Sequence, residues 1–168
     1  MRILLTLLLI GLSNGLMADS IFMVPDKNWG FQFSSPKLMK QKGNASKTEY
    51  QFQASTGGGF VISGFVEPAK GKDADSASCM KYYWEQAVKN PSILKDTISV
   101  VAQKPFAVVT YLIDTEYKGK RYIQVNANYY GFREGDCIDF HVSQVFPYQA
   151  EIDYSNMLEF GKTFGYYQ

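Results

Sequence analysis

Residues 106–145 read FAVVTYLIDTEYKGKRYIQVNANYYGFREGDCIDFHVSQV. They divide into three runs rich in β-branched and aromatic residues, 106–114, 121–130 and 137–145. The breaks at 117–120 and 133–136 contain Gly119 and Gly135. Short glycine-bearing breaks between such runs predict antiparallel hairpin neighbours. A further strand is read immediately upstream, over 98–103.

Towards the N-terminus the same period recurs. Trp29, Phe31 and Phe33 alternate with Gly30, Gln32 and Ser34 up to Pro36, the pattern of a strand with one buried face. The polar and basic stretch 37–47 reads as a loop. In 48–56, Tyr50, Phe52 and Ala54 alternate with Gln51, Gln53 and Ser55, and a Gly57-Gly58-Gly59 turn leads into a strand over 60–66. After a polar connection at 68–73, Asp75 or Ser76 can cap a helix by accepting a first-turn amide. Met80, Tyr83, Trp84, Ala87 and Val88 share one face of that helix, which stops at Asn90 because Pro91 disfavours helical geometry before it. A second helix is read over 155–164, capped by Asp153 or Ser155, with Met157, Leu158, Gly161 and Phe164 inward. Runs of strands interrupted by isolated helices predict an α+β fold: a central antiparallel β-sheet with helices packed on it.

Composition limits what such a domain can do. The 168 residues are 46% hydrophobic and 15% aromatic, which suits one folded domain and excludes disorder over most of the chain. Residues 1–18, MRILLTLLLIGLSNGLMA, hold one basic residue, an apolar run too short to span a membrane, and then small and polar residues. This is the layout of a signal peptide cleaved near Ala18, leaving a single domain over 19–168 that is secreted or periplasmic and has no membrane anchor. Without Arg2, the 16 remaining basic and 16 acidic side chains balance, so charge argues against a nucleic-acid partner. Lys118, Lys120 and Arg121 beside Tyr117 and Tyr122 read as a solvated hairpin tip instead of a stacking platform.

Cys79 and Cys137 are the only cysteines, and an oxidising compartment favours their pairing as a disulfide. Closing about 58 residues would stabilise the fold by roughly 4 kcal/mol in the loop-entropy description. Alternation raises a difficulty. If Ile138, Phe140 and Val142 face the helix that carries Cys79, then Cys137 points to the other side. Either that other face is also helix-covered, or Cys137 precedes regular pairing, or the two do not bond.

The single histidine, His141, shares a strand face with Cys137, Asp139 and Ser143. These are the residue types of a nucleophile, a base and an orienting acid. Neighbours at i and i+2 on a strand lie about 6.5–7 Å apart, however, whereas a nucleophile and its base need roughly 2.6–3.2 Å. Catalysis by this row is therefore not expected, and His141 and Ser143 are expected to bond neighbouring strands or the last helix. One histidine and no close cysteine pair also argue against a metal site, and the three glycines lack the Gly-Lys-Ser/Thr ending of a phosphate loop. No cofactor is indicated. Asn44-Ala45-Ser46 fits a glycosylation acceptor that has meaning only in a eukaryotic secreted chain.

The runs Tyr117-Lys118-Gly119, Gln124-Val125-Asn126-Ala127-Asn128-Tyr129 and Ile138-Asp139-Phe140-His141-Val142-Ser143, followed by the closing helix, resemble exported bacterial proteins of the PsbP-like fold. That resemblance implies an α/β/α sandwich around an antiparallel sheet and a non-catalytic, protein-binding role. The family's namesake is an extrinsic photosystem II subunit and another relative binds the GTPase Ran, but no contact residue of either carries over. The expectation is thus a monomeric exported module, protein-binding or inhibitor-like, with an unknown protein partner. Its candidate binding residues are Asn126, Asn128, Tyr130, Asp139, His141 and Ser143. Two alternatives stand beside it. In one, Tyr111, Tyr129 and Tyr130 line a cleft for an apolar or sugar molecule. In the other, His141 and Asp139 serve a hydrolase.

Overall fold

The computed structural model describes residues 17–46, 49–69 and 75–168. In chain order they form β1 (Met17–Met23), β2 (Gly30–Pro36), β3 (Lys40–Ala45), β4 (Tyr50–Ser55), β5 (Phe60–Pro68), α1 (Ser76–Ala87), β6 (Ile93–Gln103), β7 (Phe106–Tyr117), β8 (Lys120–Arg133), β9 (Asp136–Pro147), α2 (Ser155–Thr163) and β10 (Gly165–Tyr167). Seven strands make one antiparallel sheet in the order β3-β4-β5-β9-β8-β7-β6, and a smaller sheet has the order β1-β2-β10. The fold is α+β and mostly sheet.

The hairpins form where glycine permits them. Lys118 and Gly119 (φ 51° and 73°) turn β7 into β8, and Glu134 and Gly135 (φ 51° and 89°) turn β8 into β9. Two successive residues at positive φ give the tight turn whose twist matches antiparallel strands.

Each face of the large sheet has its own cover. Ile62, Val66, Ile138, Phe140, Val142, Val125 and Tyr129 point towards α2 and the small sheet, where they meet Phe31, Phe33, Met157, Phe160 and Phe164. The rings of Phe140 and Phe164 stand 4.4 Å apart between centroids, and those of Phe33 and Phe160 5.0 Å. The other face carries α1, with Met80, Tyr83 and Trp84 packed on Val109, Tyr111, Tyr130 and Ile93. Asp75 caps α1 by accepting the Ser78 amide at 2.7 Å.

This two-sided cover resolves the cysteine problem. Cys137 does point away from Ile138 and Phe140, and α1 lies on that same side. Cys79 and Cys137 are bonded there with their Cα atoms 5.5 Å apart. A helix does cover the face opposite Ile138, Phe140 and Val142, but it is α1 itself, while α2 covers the Ile138 side.

Several sequence expectations are corrected. The stretch 37–47 is not all loop, because β3 pairs with β4 from Lys40↔Ser55 to Ala45↔Tyr50. As an edge strand exposed at every residue it has no buried face and hence no alternation to detect. β1 escapes detection for a different reason: Phe22 packs inward, but Ile21 and Met23, which face solvent, are apolar too, so the run shows no alternation. Leu158 is 62% exposed and Phe160 fully buried, so the inward stripe of α2 is Met157, Phe160 and Phe164. Tyr154 precedes α2 without a side-chain cap, and Asp153 instead accepts the Ser155 amide at 2.9 Å. The expected leader falls on residues 1–16, outside the described residues, apart from Met17 and Ala18, which begin β1. No helix among the described residues is long and apolar enough to cross a membrane.

Candidate functional site

Cross-strand pairing lays the polar residues of the α1-side face in two rows. One row runs Lys42, Gln53, Ser63, His141 and Asn128; the next runs Asn44, Gln51, Phe65, Asp139 and Tyr130. The rows lie roughly 7 Å apart and steps within a row about 4.8 Å. Helix α1 covers the β7-β8-β9 end, where Tyr83 meets Tyr130 face to face and Phe65 edge-on. Over β3, β4 and β5 no helix of the described residues lies on this face. The result is an open hollow of about 550 Å³, lined by Lys42, Asn44, Gln51, Gln53 and the strand neighbours Ser63, Phe65, Asp139 and His141.

The hydrogen bonds around His141 determine its protonation. Asn126 donates through Nδ2 to the Gln124 carbonyl at 2.9 Å, and its Oδ1 accepts the Gln124 side-chain amide at 2.9 Å. That Oδ1 also lies 2.9 Å from His141 Nε2, so Nε2 must carry the ring proton. Nδ1 is left as an acceptor, and the Ser63 hydroxyl, 3.4 Å away, donates to it. Burial holds the imidazole down at about 4, well below its ordinary 6.5, so the ring is neutral at physiological pH.

Asp139 belongs to a second chain of bonds. The Tyr111 hydroxyl donates to Asn128 Oδ1 at 3.1 Å, and Asn128 Nδ2 donates to Asp139 Oδ1 at 2.7 Å. Burial pushes the Asp139 carboxyl up to about 6, and the Asn128 bond only partly offsets it. Tyr111 is pushed up to about 12, first by burial and then by the charge of Asp139. Burial and the same charge raise the Tyr130 hydroxyl, which is enclosed beneath α1 without a hydrogen-bond partner among the described residues.

Of the six candidate residues, His141 and Asp139 reach the hollow, while Asn126, Asn128, Tyr130 and Ser143 are buried beside it. Asn126 and Asn128 bond His141 and Asp139 respectively, and so orient both groups that face the hollow. The lining residues missed in the sequence include Ser63, Phe65, Gln51 and Gln53 on β4 and β5, with Lys42 and Asn44 on β3. The alternation of β4 and β5 held the signal for the first four, since it sets them on the face opposite Phe52, Ala54 and Ile62, but only strand order brings them beside His141. Tyr111, Tyr129 and Tyr130 do not share a cleft: Tyr129 faces α2, and the other two lie under α1. Tyr129 instead lines a second groove of about 450 Å³, with Val101, Val108, Met157 and Leu158. At the β7–β8 tip, Arg121 forms a two-pronged ion pair with Asp114 and stacks on Tyr148 at 3.7 Å, so that cation is already engaged. Among the described residues no three His, Cys, Asp or Glu side chains converge as a metal site would need.

No protein-family model matches the sequence, and no characterised protein matches it at a significant level. Among solved structures, LpqN of Mycobacterium tuberculosis, described as involved in cell envelope biogenesis, is similar over 89% of this chain and 91% of its own, at 10% identity and a TM-score of 0.52. A crystal structure from Bacteroides thetaiotaomicron VPI-5482 is similar over 82% of this chain, which spans 45% of that one, at 9% identity and a TM-score of 0.45. A protein of unknown function from Pseudomonas aeruginosa matches over 75% of this chain and 82% of its own, at 14% identity and a TM-score of 0.34. The chain thus shares its α+β architecture with LpqN, a likeness of fold alone.

Proposed function

We propose that the chain is an exported, non-catalytic binding domain of PsbP-like type, acting in the cell envelope or outside the cell on a protein partner through the hollow on its large sheet. The observation that carries this reading is the hollow itself. Its polar groups sit on paired strands, with His141 and Asp139 held in fixed orientation by Asn126 and Asn128 of the neighbouring strand β8. Preorganised groups of this kind lose little entropy when a ligand arrives. The Cys79–Cys137 bond supports export, since disulfides persist in oxidising compartments, and the structurally similar LpqN is described as involved in cell envelope biogenesis.

A hydrolytic reading has one observation in its favour: Ser63, His141 and Asn126 stand in the order nucleophile, base and orienter. Two features weigh against turnover. Ser63 lies on β5, paired on both sides by β4 and β9, so the strand amides around it are committed to the sheet and leave no pair of N–H groups for an oxyanion. Burial also makes the His141 ring a weak base.

The test places a photo-crosslinking residue at Gln53 or, as a control, at Glu85 on the exposed side of α1, in the producing cell. One protein adduct specific to position 53 is expected. Equal adducts from both positions, adducts from 85 alone, or none would remove the hollow as the binding surface. Turnover of p-nitrophenyl acetate that disappears in Ser63→Ala would replace the binding reading with the hydrolytic one.

A further inference from the structure

We infer that the hollow receives a guanidinium group, the side chain of an arginine presented by the partner, on the carboxylate of Asp139 and beside the ring of Phe65; the inference rests on the binding reading above. Three observations converge on it. First, Asp139 faces the hollow with Asn128 as its one hydrogen-bond partner and no ion pair among the described residues, so one oxygen of a largely desolvated carboxylate has no protein donor. A buried carboxylate left in that condition is costly and gains most from an arriving cation.

Second, the tautomer of His141 makes the surrounding floor an accepting one. Nε2–H is consumed by Asn126 and the Nδ1 lone pair by the Ser63 proton, so the ring is fully engaged and the Ser63 oxygen is left offering its lone pairs outward. A donor-rich ligand matches this floor, whereas a carboxylate or phosphate would find the Asp139 carboxylate and the Ser63 oxygen opposing it.

Third, Phe65 pairs directly with Asp139 across β5 and β9 and lines the same hollow. A carboxylate next to an aromatic ring suits a planar cation, which can make a forked hydrogen bond at its edge while its face lies on the ring. The ammonium of a lysine is compact and more strongly hydrated, and it uses this pair less well. Among the described residues Lys42 is the one cation on the lining, and it stands on the exposed edge strand β3, three strands away from Asp139.

The experiment uses the disulfide-bonded exported chain and amide NMR titrations with acetyl-Gly-Arg-Gly-amide and with the same peptide carrying citrulline, which keeps the shape and removes the charge. The arginine peptide should shift the amides of Ser63, Phe65, Asp139 and His141 and bind about tenfold more tightly than the citrulline peptide. Asp139→Asn should abolish that tenfold difference. Phe65→Leu, which keeps the volume and loses the ring face, should weaken the arginine peptide several-fold, and it stands in if Asp139→Asn fails to fold. Equal binding of the two peptides, silence of the hollow residues, or larger shifts with chitotriose than with the arginine peptide would overturn the inference. If position-53 crosslinks persist alongside any of those results, the binding domain stands and only its ligand chemistry is wrong; if they are lost as well, the site itself is wrong.

Discussion

Asn126 Oδ1 lies 2.9 Å from His141 Nε2, and because Gln124 holds the amide in that orientation, the contact decides which ring nitrogen bears the proton. The prediction is spectroscopic. Nitrogen-15 NMR of the imidazole should show a neutral ring protonated at Nε2 throughout the neutral range, charging only near pH 4. Asn126→Ala, which removes the acceptor, should mix the two tautomers. A ring protonated at Nδ1 in the wild type would overturn the assignment.

His141 and Asp139 bias stability in opposite directions on acidification. Unfolded imidazole takes its proton near 6.5 and the folded ring only near 4, so between those values the unfolded chain binds more protons and His141 costs stability as pH falls. The folded Asp139 takes its proton near 6 and an unfolded carboxyl only near 3.8, so Asp139 adds stability over nearly the same fall. Tyr83, Tyr111 and Tyr130, which face Asp139 from α1, β7 and β8, stay protonated throughout, as all three are raised from 10. The wild type should therefore change little between pH 7 and pH 4.5 on this account. Asp139→Asn should lose stability over that interval and His141→Gln should gain it, each by on the order of 2 kcal/mol. Urea denaturation at the two pH values measures both slopes, and slopes of the same sign in the two variants would contradict the pair.

The disulfide is the covalent link between α1 and β9. Replacing both Cys79 and Cys137 by alanine should lower stability by about 2–5 kcal/mol, read as a drop in the denaturation midpoint. Because the bond also holds α1 over Tyr130 and Tyr111, the near-ultraviolet circular dichroism of these tyrosines should weaken. An unchanged midpoint would show that packing alone seats the helix.

Gly64 stands between Ser63 and Phe65, and a Cβ there would come within 2.0 Å of the Phe52 ring. Gly64→Ala should cost about 1–3 kcal/mol, because the ring must leave its place among Phe22, Phe31 and Phe140. A variant as stable as wild type would mean that Phe52 repacks freely.

On α2, Phe160→Ala should cost about 3–5 kcal/mol and Leu158→Gln almost nothing, although the two positions are separated by a single residue. Thermal denaturation of the two variants distinguishes the observed inward stripe from the one that the sequence suggested.

How much of this was legible beforehand depends on what each residue touches. Trp29, Phe31 and Phe33, the β4–β5 hairpin and the three strands from Phe106 onward could be read because one buried face stamps a two-residue period on the chain. The edge strand β3 carries no such stamp because solvent meets both of its faces, and β1 carries none because its outward residues Ile21 and Met23 are as apolar as the inward Phe22. For α2, helical spacing allowed more than one inward stripe, and only contact with Phe33 and Phe140 selects the one containing Phe160.

The same division holds at the site. Sequence alone determined that Asp139 and His141 share a strand face and that Asn126 and Asn128 alternate in the same way, because alternation is a local property; it favoured a bond between the two cysteines, and the placement of α1 on the Cys137 side decided it. Only the tertiary structure placed Ser63 and Phe65 beside Asp139 and His141, 78 positions away from His141 in the case of Ser63, and left that part of the sheet uncovered by a helix of the described residues. Strand order in an antiparallel sheet is decided by which long-range pairings bury the most apolar surface together, and that is a property of the whole chain and of no single segment in it.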